Sequence, residues 1–153
     1  MSSALPEAVV LLRLVVRFAE TDLMGIVHHG VYAEWLEAGR VAWLDAAGIP
    51  YIEVARGGYH LAVTGLTIAY RTPARFGDTI EVATRLTSLQ SRKASFAYEV
   101  YNAADRALLA TGLTEHVCVD GDAHVARIPA DIGERIRSGA NALAARQSVE
   151  VDV

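Results

Sequence analysis

An apolar segment with helical periodicity over residues 31–47 constrains the fold more than any other part of the chain. Its apolar positions recur at spacings of three and four: Tyr32, Trp35, Leu36, Gly39, Trp43 and Ala46. Gly48 and Pro50 end the pattern, as these residue types do after helix C-termini. Few positions in the segment are charged, so most of the helix circumference is apolar and must be covered by other elements.

Segments with a period of two lie on both sides of this helix and predict strands. One precedes the helix, at residues 9–18. Four follow it, at residues 60–71, 79–88, 94–101 and 107–119. A short edge strand, a helix and a frayed tail are predicted next, at residues 123–128, 130–146 and 148–153. This order predicts an α+β fold in which an antiparallel sheet of about five or six strands wraps around one long helix.

The composition is typical of one globular domain. The 153 residues are 52% hydrophobic and 21% charged, and a chain of this length buries a sizeable core without metals or disulfides. We predict a single domain over residues 1–153, with its core at about 9–132. The apolar share is slightly above the usual ~45–50%, which is typical of a chain that shares apolar surface with a partner.

The net charge and the targeting signals restrict which partners and which cellular location are expected. With 14 Lys and Arg against 18 Asp and Glu, the chain lacks the basic excess of a protein with a broad nucleic-acid face. No apolar run is long enough to cross a bilayer, and the N-terminus lacks the basic start of a signal peptide. We therefore predict a cytoplasmic protein with no nucleic-acid partner and no membrane span.

The loop between the first strand and the long helix places a carboxylate near a helix N-terminus. Asp22 follows the strand, and Gly30 directly precedes the helix. Backbone N–H groups near His29 and Gly30 lie at the positive end of the helix dipole, where a developing oxyanion is stabilised. A carboxylate one loop away could attack a carbonyl polarised there, or deprotonate a water that attacks it. On spacing alone, an Asp at such a position more often only caps a helix or shapes a turn.

Other catalytic arrangements fit the sequence less well. His28 and His29 are adjacent, and adjacent side chains rarely ligate one ion. The remaining histidines lie on separate predicted strands and turns: His60, His116 and His124. Cys118 is the only cysteine, which excludes an intramolecular disulfide and a cysteine zinc site, and no Gly-x-Ser-x-Gly elbow exists. We predict no metal and no cofactor.

Two sequence elements and the helix that follows them resemble the motif of a known enzyme family. Residues 18–22 read Phe-Ala-Glu-Thr-Asp and residues 25–29 read Gly-Ile-Val-His-His. The helix then carries the following residues: Tyr32, Trp35, Glu37 and Arg40. This pattern resembles that of the 4-hydroxybenzoyl-CoA thioesterase family, which are acyl-CoA hydrolases with the hot-dog fold. Residues 70–78 and 128–129 are similar to later family signatures, so the resemblance covers roughly residues 12–132.

The resemblance assigns roles to individual positions. Asp22 matches the catalytic aspartate, acting as nucleophile or general base, and His29 matches the position whose backbone N–H polarises the thioester carbonyl. His28, Gly30, Tyr32 and Trp35 are then expected to bind the acyl part of the substrate. The two aromatic residues fit equally well as core residues, and His28 stands where the family usually has an aromatic residue.

The resemblance also implies contacts with coenzyme A and an oligomeric state. Arg92 and Lys93 match basic positions that face the nucleotide phosphates in relatives, although a solvated hairpin end explains a basic pair equally well. Glu37 is a second candidate acid, but Arg40 three residues later suggests a structural ion pair. Relatives form dimers or tetramers, so the apolar surplus of the chain is attributed to subunit interfaces.

The sequence therefore predicts a hot-dog acyl-CoA thioesterase that hydrolyses an acyl-CoA to free acid and coenzyme A. It is expected to work as a homodimer or homotetramer. Two alternatives stay open. One is a hot-dog module that binds acyl-CoA without turnover, and the other is a hydratase or dehydratase with the same fold.

Overall fold

The computed structural model describes residues 4–146 and 149–153. The predicted elements form close to their expected bounds. The strands are β1 (Val9–Val15), β2 (His60–Tyr70), β3 (Thr79–Leu89), β4 (Lys93–Asn102), β5 (Leu108–Val119) and β6 (Val149–Asp152). The helices are α1 (Val31–Ala46), α2 (Tyr51–Arg56) and α3 (Ala130–Ala144). A short 3-10 turn, Phe18–Glu20, follows β1 and replaces the end of the predicted first strand.

The strands form one six-stranded sheet in the order β2-β5-β4-β3-β1-β6. Four neighbouring pairs are antiparallel, and β6 runs parallel to β1. The sheet packs against α1 through β1 and β3, and β2 lies at its free edge. The prediction of a sheet wrapped around one long helix is therefore confirmed, although the sheet is mixed rather than purely antiparallel.

Two local predictions were wrong, and one short helix was missed. Residues 149–152 of the predicted frayed tail form β6, because Val149 and Val151 cover the apolar residues of β1, while residue 148 lies outside the described residues. The stretch 123–128 forms only an isolated bridge between Val119 and Val125 instead of an edge strand. Helix α2 was missed because six residues are too few to show a helical period.

Helix α1 is buried along the face that meets the sheet. Trp43 has no exposed surface; its ring packs edge-on against Phe96 at 5.8 Å, and its indole N–H donates to the Ala8 carbonyl at 3.0 Å. Gly39 lies against β3, where a side chain would enter the space of Val82 and Thr84. Because this inward position has no side chain, α1 can approach β3 closely.

Adding a methyl group at this close approach is expected to destabilise the fold. In Gly39→Ala the new Cβ would lie 2.5 Å from Thr84 Oγ1 and 2.9 Å from Val82 Cγ1. Such overpacking costs about 1–3 kcal/mol and exceeds the gain in helix propensity. The matched control is Gly133→Ala in α3, where the nearest atom lies 3.9 Å away and the free energy of unfolding should rise by about 0.5–1 kcal/mol. Urea denaturation measures both, and a Gly39→Ala variant as stable as the parent would contradict the packing described.

Within residues 4–146 and 149–153, no helix combines the length and the apolar character that a membrane crossing requires.

Candidate active site

The loop between β1 and α1 presents Asp22 through its own backbone hydrogen bonds. The Asp22 N–H donates to the Ile26 carbonyl at 2.8 Å, and the Gly25 N–H donates to the Asp22 carbonyl at 2.9 Å. Gly25 has a φ of 78°, which glycine adopts without strain. The Met24 N–H donates to Oδ1 of Asp22 at 2.8 Å. In the described part of the chain Oδ2 has no such partner, so the half-buried carboxylate keeps one oxygen available.

At the N-terminus of α1 the backbone N–H groups of His28, Gly30 and Val31 are engaged, and that of His29 is open. The Val31 N–H donates to the His28 carbonyl at 3.0 Å, and the Gly30 N–H donates to Nδ1 of the His28 ring at 3.0 Å. The His28 N–H donates to the Glu20 carbonyl at 2.9 Å. Among the described residues, the N–H of His29 is given no hydrogen-bond partner. It is therefore a donor at this helix end that a ligand can engage.

Asp22 and His29 line the same cavity, which has a volume of about 320 Å³. Tyr32 from α1 and Tyr70 from the end of β2 contribute aromatic walls, and Arg71 lies at the side of the turn that follows β2. The cavity therefore combines a carboxylate, an open helix N-terminal donor, an apolar wall and a cation. This set can polarise a carbonyl group and either attack it or activate water beside it.

An aromatic ladder connects the cavity to the core. Tyr70 packs edge-on against Tyr32 with ring centroids 5.1 Å apart, and Tyr32 packs on Trp35 at 4.8 Å. The Tyr70 hydroxyl donates to the His29 carbonyl at 2.8 Å. Burial raises the pKa of Tyr70, so its hydroxyl stays protonated and remains a donor at neutral pH. The ladder thus supports the loop that carries the open N–H.

Glu20 anchors the other side of the loop. Its buried carboxylate accepts hydrogen bonds from the Arg17 backbone N–H at 2.7 Å, the Arg17 guanidinium at 3.3 Å and the Trp35 indole N–H at 3.0 Å. Burial alone raises the pKa of Glu20, but these bonds and the Arg17 charge outweigh it, so the pKa falls below the ordinary value. Glu20 therefore stays ionised and ties the loop to α1.

The structure brings some of the predicted site residues together and separates others. Asp22, His29 and Tyr32 line the cavity. Trp35 is buried behind Tyr32 and bonds to Glu20, so it supports the cavity wall from the core. His28 is exposed; its ring stacks on the His29 ring at 4.2 Å and contacts Gly30.

The predicted basic pair lies at the far end of the sheet. Lys93 begins β4 and pairs with Val117 on β5, level with the start of β2. The cavity adjoins Tyr70 at the end of β2. Lys93 is level with Ala62, and the eight residue steps from Ala62 to Tyr70 at about 3.3 Å each correspond to roughly 26 Å. Within one chain, Arg92 and Lys93 therefore do not reach the cavity.

Two other groups of charged residues have structural surroundings of their own. Glu37 on α1 lies 4.0 Å from the Arg40 guanidinium, at the limit of an ion pair. Asp120, Asp122 and His124 place ligand atoms within 4.8 Å of one another in the turn after β5. The Asp120 carboxylate already accepts the backbone N–H groups of Asp122 and His124 at 2.9 and 3.0 Å. This exposed cluster lies at the end of β5 that is remote from the cavity.

Two residues of the cavity region were missed by sequence reasoning. Tyr70 was predicted only as a strand residue at the start of a family signature, and Glu20 only as part of a motif. Their positions carried a signal, because Tyr70 opens the signature at 70–78 and Glu20 is the acid of the Glu-Thr-Asp element. Their partners, His29 and Trp35, lie 41 and 15 residues away, so the contacts themselves depend on the fold.

Solved structures share this fold, and other proteins are similar to the chain in sequence. The chain is 48% identical to protein TT1821 from Thermus thermophilus, with a TM-score of 0.78 and coverage of 82% of this chain and 95% of that one. It is 26% identical to a DHNA-CoA thioesterase from Staphylococcus aureus, with a TM-score of 0.81 and coverage of 95% and 98%. It is 36% identical over 105 residues to YneP of Bacillus subtilis, whose name gives it provisionally as an acyl-CoA thioesterase; the match covers 69% of this chain and 75% of YneP.

The sheet wrapped around α1 and the loop before this helix define a thioesterase of the hot-dog fold. Residues 16–136 match the family model of the Thioesterase-like superfamily, and the chain belongs to that superfamily. The family predicted from the motifs at residues 18–29 is thereby confirmed.

Proposed function

We propose that this protein hydrolyses an acyl-CoA to the free carboxylic acid and coenzyme A, with Asp22 and the His29 N–H as its catalytic groups. One observation carries the proposal: Asp22 and His29 line one cavity, and in the described part of the chain Asp22 Oδ2 and the His29 N–H have no hydrogen-bond partner. The names of YneP and of the Staphylococcus aureus enzyme support coenzyme A as the carrier of the acyl group.

The reaction proceeds through an oxyanion at the start of α1. The thioester carbonyl oxygen accepts the His29 N–H, where the helix dipole stabilises the developing negative charge. Asp22 either removes a proton from a water whose oxygen attacks the carbonyl carbon, or attacks that carbon itself. The tetrahedral intermediate then expels the coenzyme A thiolate as the C–S bond breaks. In the second case an acyl-aspartyl anhydride forms, and water hydrolyses it to restore Asp22.

A free-thiol release assay tests the activity. Acetyl-, octanoyl-, palmitoyl- and benzoyl-CoA are supplied as substrates, with binding measured in parallel by calorimetry. Turnover of at least one substrate supports the proposal. Binding without thiol release from any of them would refute it and leave the alternative of a non-catalytic acyl-CoA-binding module. Hydration of an enoyl-CoA without thiol release would instead favour a hydratase or dehydratase.

The proposed functional unit is a homodimer joined along β2, or a homotetramer built from such dimers. Strand β2 is eleven residues long and forms the sheet edge, and an unpaired edge of this length is a template for another strand. Its exposed apolar side chains include Val63 and Leu66, which are 51% and 48% exposed. Pairing two copies of β2 would bury this surface and extend the sheet.

A twofold axis across β2 would also complete the substrate site. Because the two β2 strands would run antiparallel, the start of one lies near the end of the other. Arg92 and Lys93 of the partner subunit would then approach the cavity at Tyr70. Coenzyme A carries phosphates that guanidinium and ammonium groups bind. Contact between this basic pair and coenzyme A is thus proposed across the subunit interface.

Placing a charge on the β2 edge is expected to weaken the dimer. Leu66→Lys would bury a cation at the interface and raise the dimer dissociation constant about 10- to 100-fold. Sedimentation velocity at several concentrations measures this change. Val125→Lys is the matched control, because Val125 is 60% exposed but lies outside β2. Equal dissociation constants for the parent and Leu66→Lys would contradict a dimer joined along β2.

A further inference from the structure

The peptide group between His29 and Gly30 is held by side chains on both of its polar atoms. The Tyr70 hydroxyl donates to its carbonyl oxygen at 2.8 Å. Its N–H donates to Nδ1 of His28 at 3.0 Å. Rotation of this peptide would break both hydrogen bonds, so the two side chains together restrict its orientation. The His29 N–H, the proposed oxyanion donor, belongs to the preceding peptide group. Holding the peptide between His29 and Gly30 therefore also restricts the orientation of His29 and of its N–H.

We propose that Tyr70 and His28 are positioning residues that hold the His29 N–H in the direction required for thioester hydrolysis. The His28 ring also occupies the Gly30 N–H, so of these two neighbouring N–H groups only that of His29 is open to the substrate carbonyl. This role rests on the proposed function of the cavity. A donor that is fixed before the substrate binds contributes most in the transition state, because no reorganisation is then needed.

The surroundings of both side chains fit this role. The Tyr70 ring packs edge-on against the buried Tyr32, which restricts where the hydroxyl can reach. The His28 ring stacks on the His29 ring and lies over Gly30, where an added Cβ would come within 3.2 Å of Nδ1. The absence of a side chain at Gly30 therefore leaves room for the His28 ring.

The competing interpretation is that both contacts only stabilise the start of α1. Loss of either contact would then lower thermal stability and leave kcat of the folded enzyme unchanged. A positioning role predicts a different pattern. It lowers kcat with little change in KM, because the fixed donor acts on the transition state more than on the bound substrate.

Tyr70→Phe tests the first contact, since it keeps the ring and removes the hydroxyl. We expect kcat to fall about tenfold with KM changed less than about twofold. Tyr101→Phe is the matched control, because the Tyr101 hydroxyl donates to Glu99 at 2.8 Å away from the cavity. Its kinetic constants should equal those of the parent.

Two substitutions of His28 separate the hydrogen bond from the ring stacking. His28→Phe keeps an aromatic ring but has no acceptor, and we expect kcat to fall about tenfold. His28→Asn removes the ring, but its Oδ1 can accept the N–H two residues later, as in an Asx turn. We expect His28→Asn to retain kcat within about twofold of the parent. Loss of activity in the Asn variant alone would overturn the role assigned to Nδ1.

An infrared measurement reads the polarised bond directly. The substrate with the highest kcat/KM, labelled with 13C at the thioester carbonyl, is bound to the Asp22→Asn variant, in which turnover is slow. Hydrogen bonding to the His29 N–H should lower the carbonyl stretching frequency. Adding Tyr70→Phe or His28→Phe should reduce this lowering, and adding His28→Asn should not.

The outcomes distinguish the positioning role from the proposed function itself. If the parent hydrolyses acyl-CoA while Tyr70→Phe and His28→Phe keep its kcat, or lose kcat with the carbonyl frequency unchanged, the positioning role is overturned and the function stands. If the parent releases no thiol from any substrate, the proposed function fails, and the positioning role fails with it.

Discussion

Replacing Asp22 by Asn is expected to lower kcat by about three orders of magnitude. The amide can neither accept a proton from water at neutral pH nor attack a thioester efficiently. The fold should be unaffected, because Asn Oδ1 can still accept the Met24 N–H that now bonds Asp22 Oδ1 at 2.8 Å. Steady-state thiol release gives kcat, and thermal denaturation checks the fold.

Asp105→Asn is the matched control for this substitution. Asp105 Oδ1 accepts the N–H of Ala107, two residues later, at 2.9 Å, as Asp22 accepts that of Met24. It lies in the connection between β4 and β5, so its substitution should leave kcat unchanged. If Asp22→Asn retained activity comparable to that of Asp105→Asn, Asp22 would have only a structural role in its turn.

The second large effect is expected from a buried hydrogen-bond chain between α1 and the sheet. The Arg40 guanidinium donates to the Tyr98 hydroxyl at 3.2 Å, and this hydroxyl lies 2.7 Å from Thr114 Oγ1. Thr114 Oγ1 lies 2.8 Å from Nε2 of His116, whose Nδ1 lies 3.5 Å from the Leu61 carbonyl. Since Arg40 only donates, one direction satisfies every proton: Tyr98 donates to Thr114, Thr114 to Nε2, and Nδ1–H to Leu61.

His116 is therefore expected to make stability depend on pH in the acid range. Burial, together with the positive charge of Arg40, lowers the pKa of His116 from 6.5 to about 4. Between these two values the unfolded chain binds the proton that the folded chain excludes, so stability falls as the pH falls. This single residue should remove about 3 kcal/mol of the free energy of unfolding between pH 7 and pH 4.

Comparison with His116→Gln isolates this contribution from that of the carboxylates. Gln can donate and accept but does not titrate, so its stability should fall less between pH 7 and pH 4. Urea denaturation across this range gives the difference between the two proteins. His124→Gln, at an exposed position in the turn after β5, should follow the parent. If the free energy of unfolding fell equally with pH in the parent and in His116→Gln, His116 would have the same pKa in the folded and unfolded chain, and this prediction would be wrong.

Local periodicity predicted most of the fold. Helix α1 and strands β2 to β5 form within two residues of their predicted ends, because each element is long enough to repeat its apolar pattern. Strand β6 was missed because four residues at a chain end carry little pattern. Val149 and Val151 become a strand only where β1 offers an unpaired edge.

For the candidate site too, the sequence predicted the local features and missed the contacts between distant residues. Asp22, His29 and Gly30 lie within nine residues of one another, so a loop followed by a helix was enough to predict that the carboxylate and the donor are neighbours. Tyr70 was missed because its contact with His29 joins residues 41 positions apart and forms only once β2 has taken its place in the sheet. Trp35 was expected to line the substrate site, but it contacts Glu20 in the core.

The sequence by itself determined the long helix, the succession of strands along the chain and the loop that carries Asp22, because these depend on residues close together in the chain. Only the tertiary structure decided which backbone donor stays open. The His28 ring engages the Gly30 N–H locally while the His29 N–H stays open, and Tyr70 reaches the same peptide from β2, 41 residues away. The tertiary structure also separates Arg92 and Lys93 from the cavity by most of the length of β2. Contacts over such separations follow from packing, which local patterns do not encode.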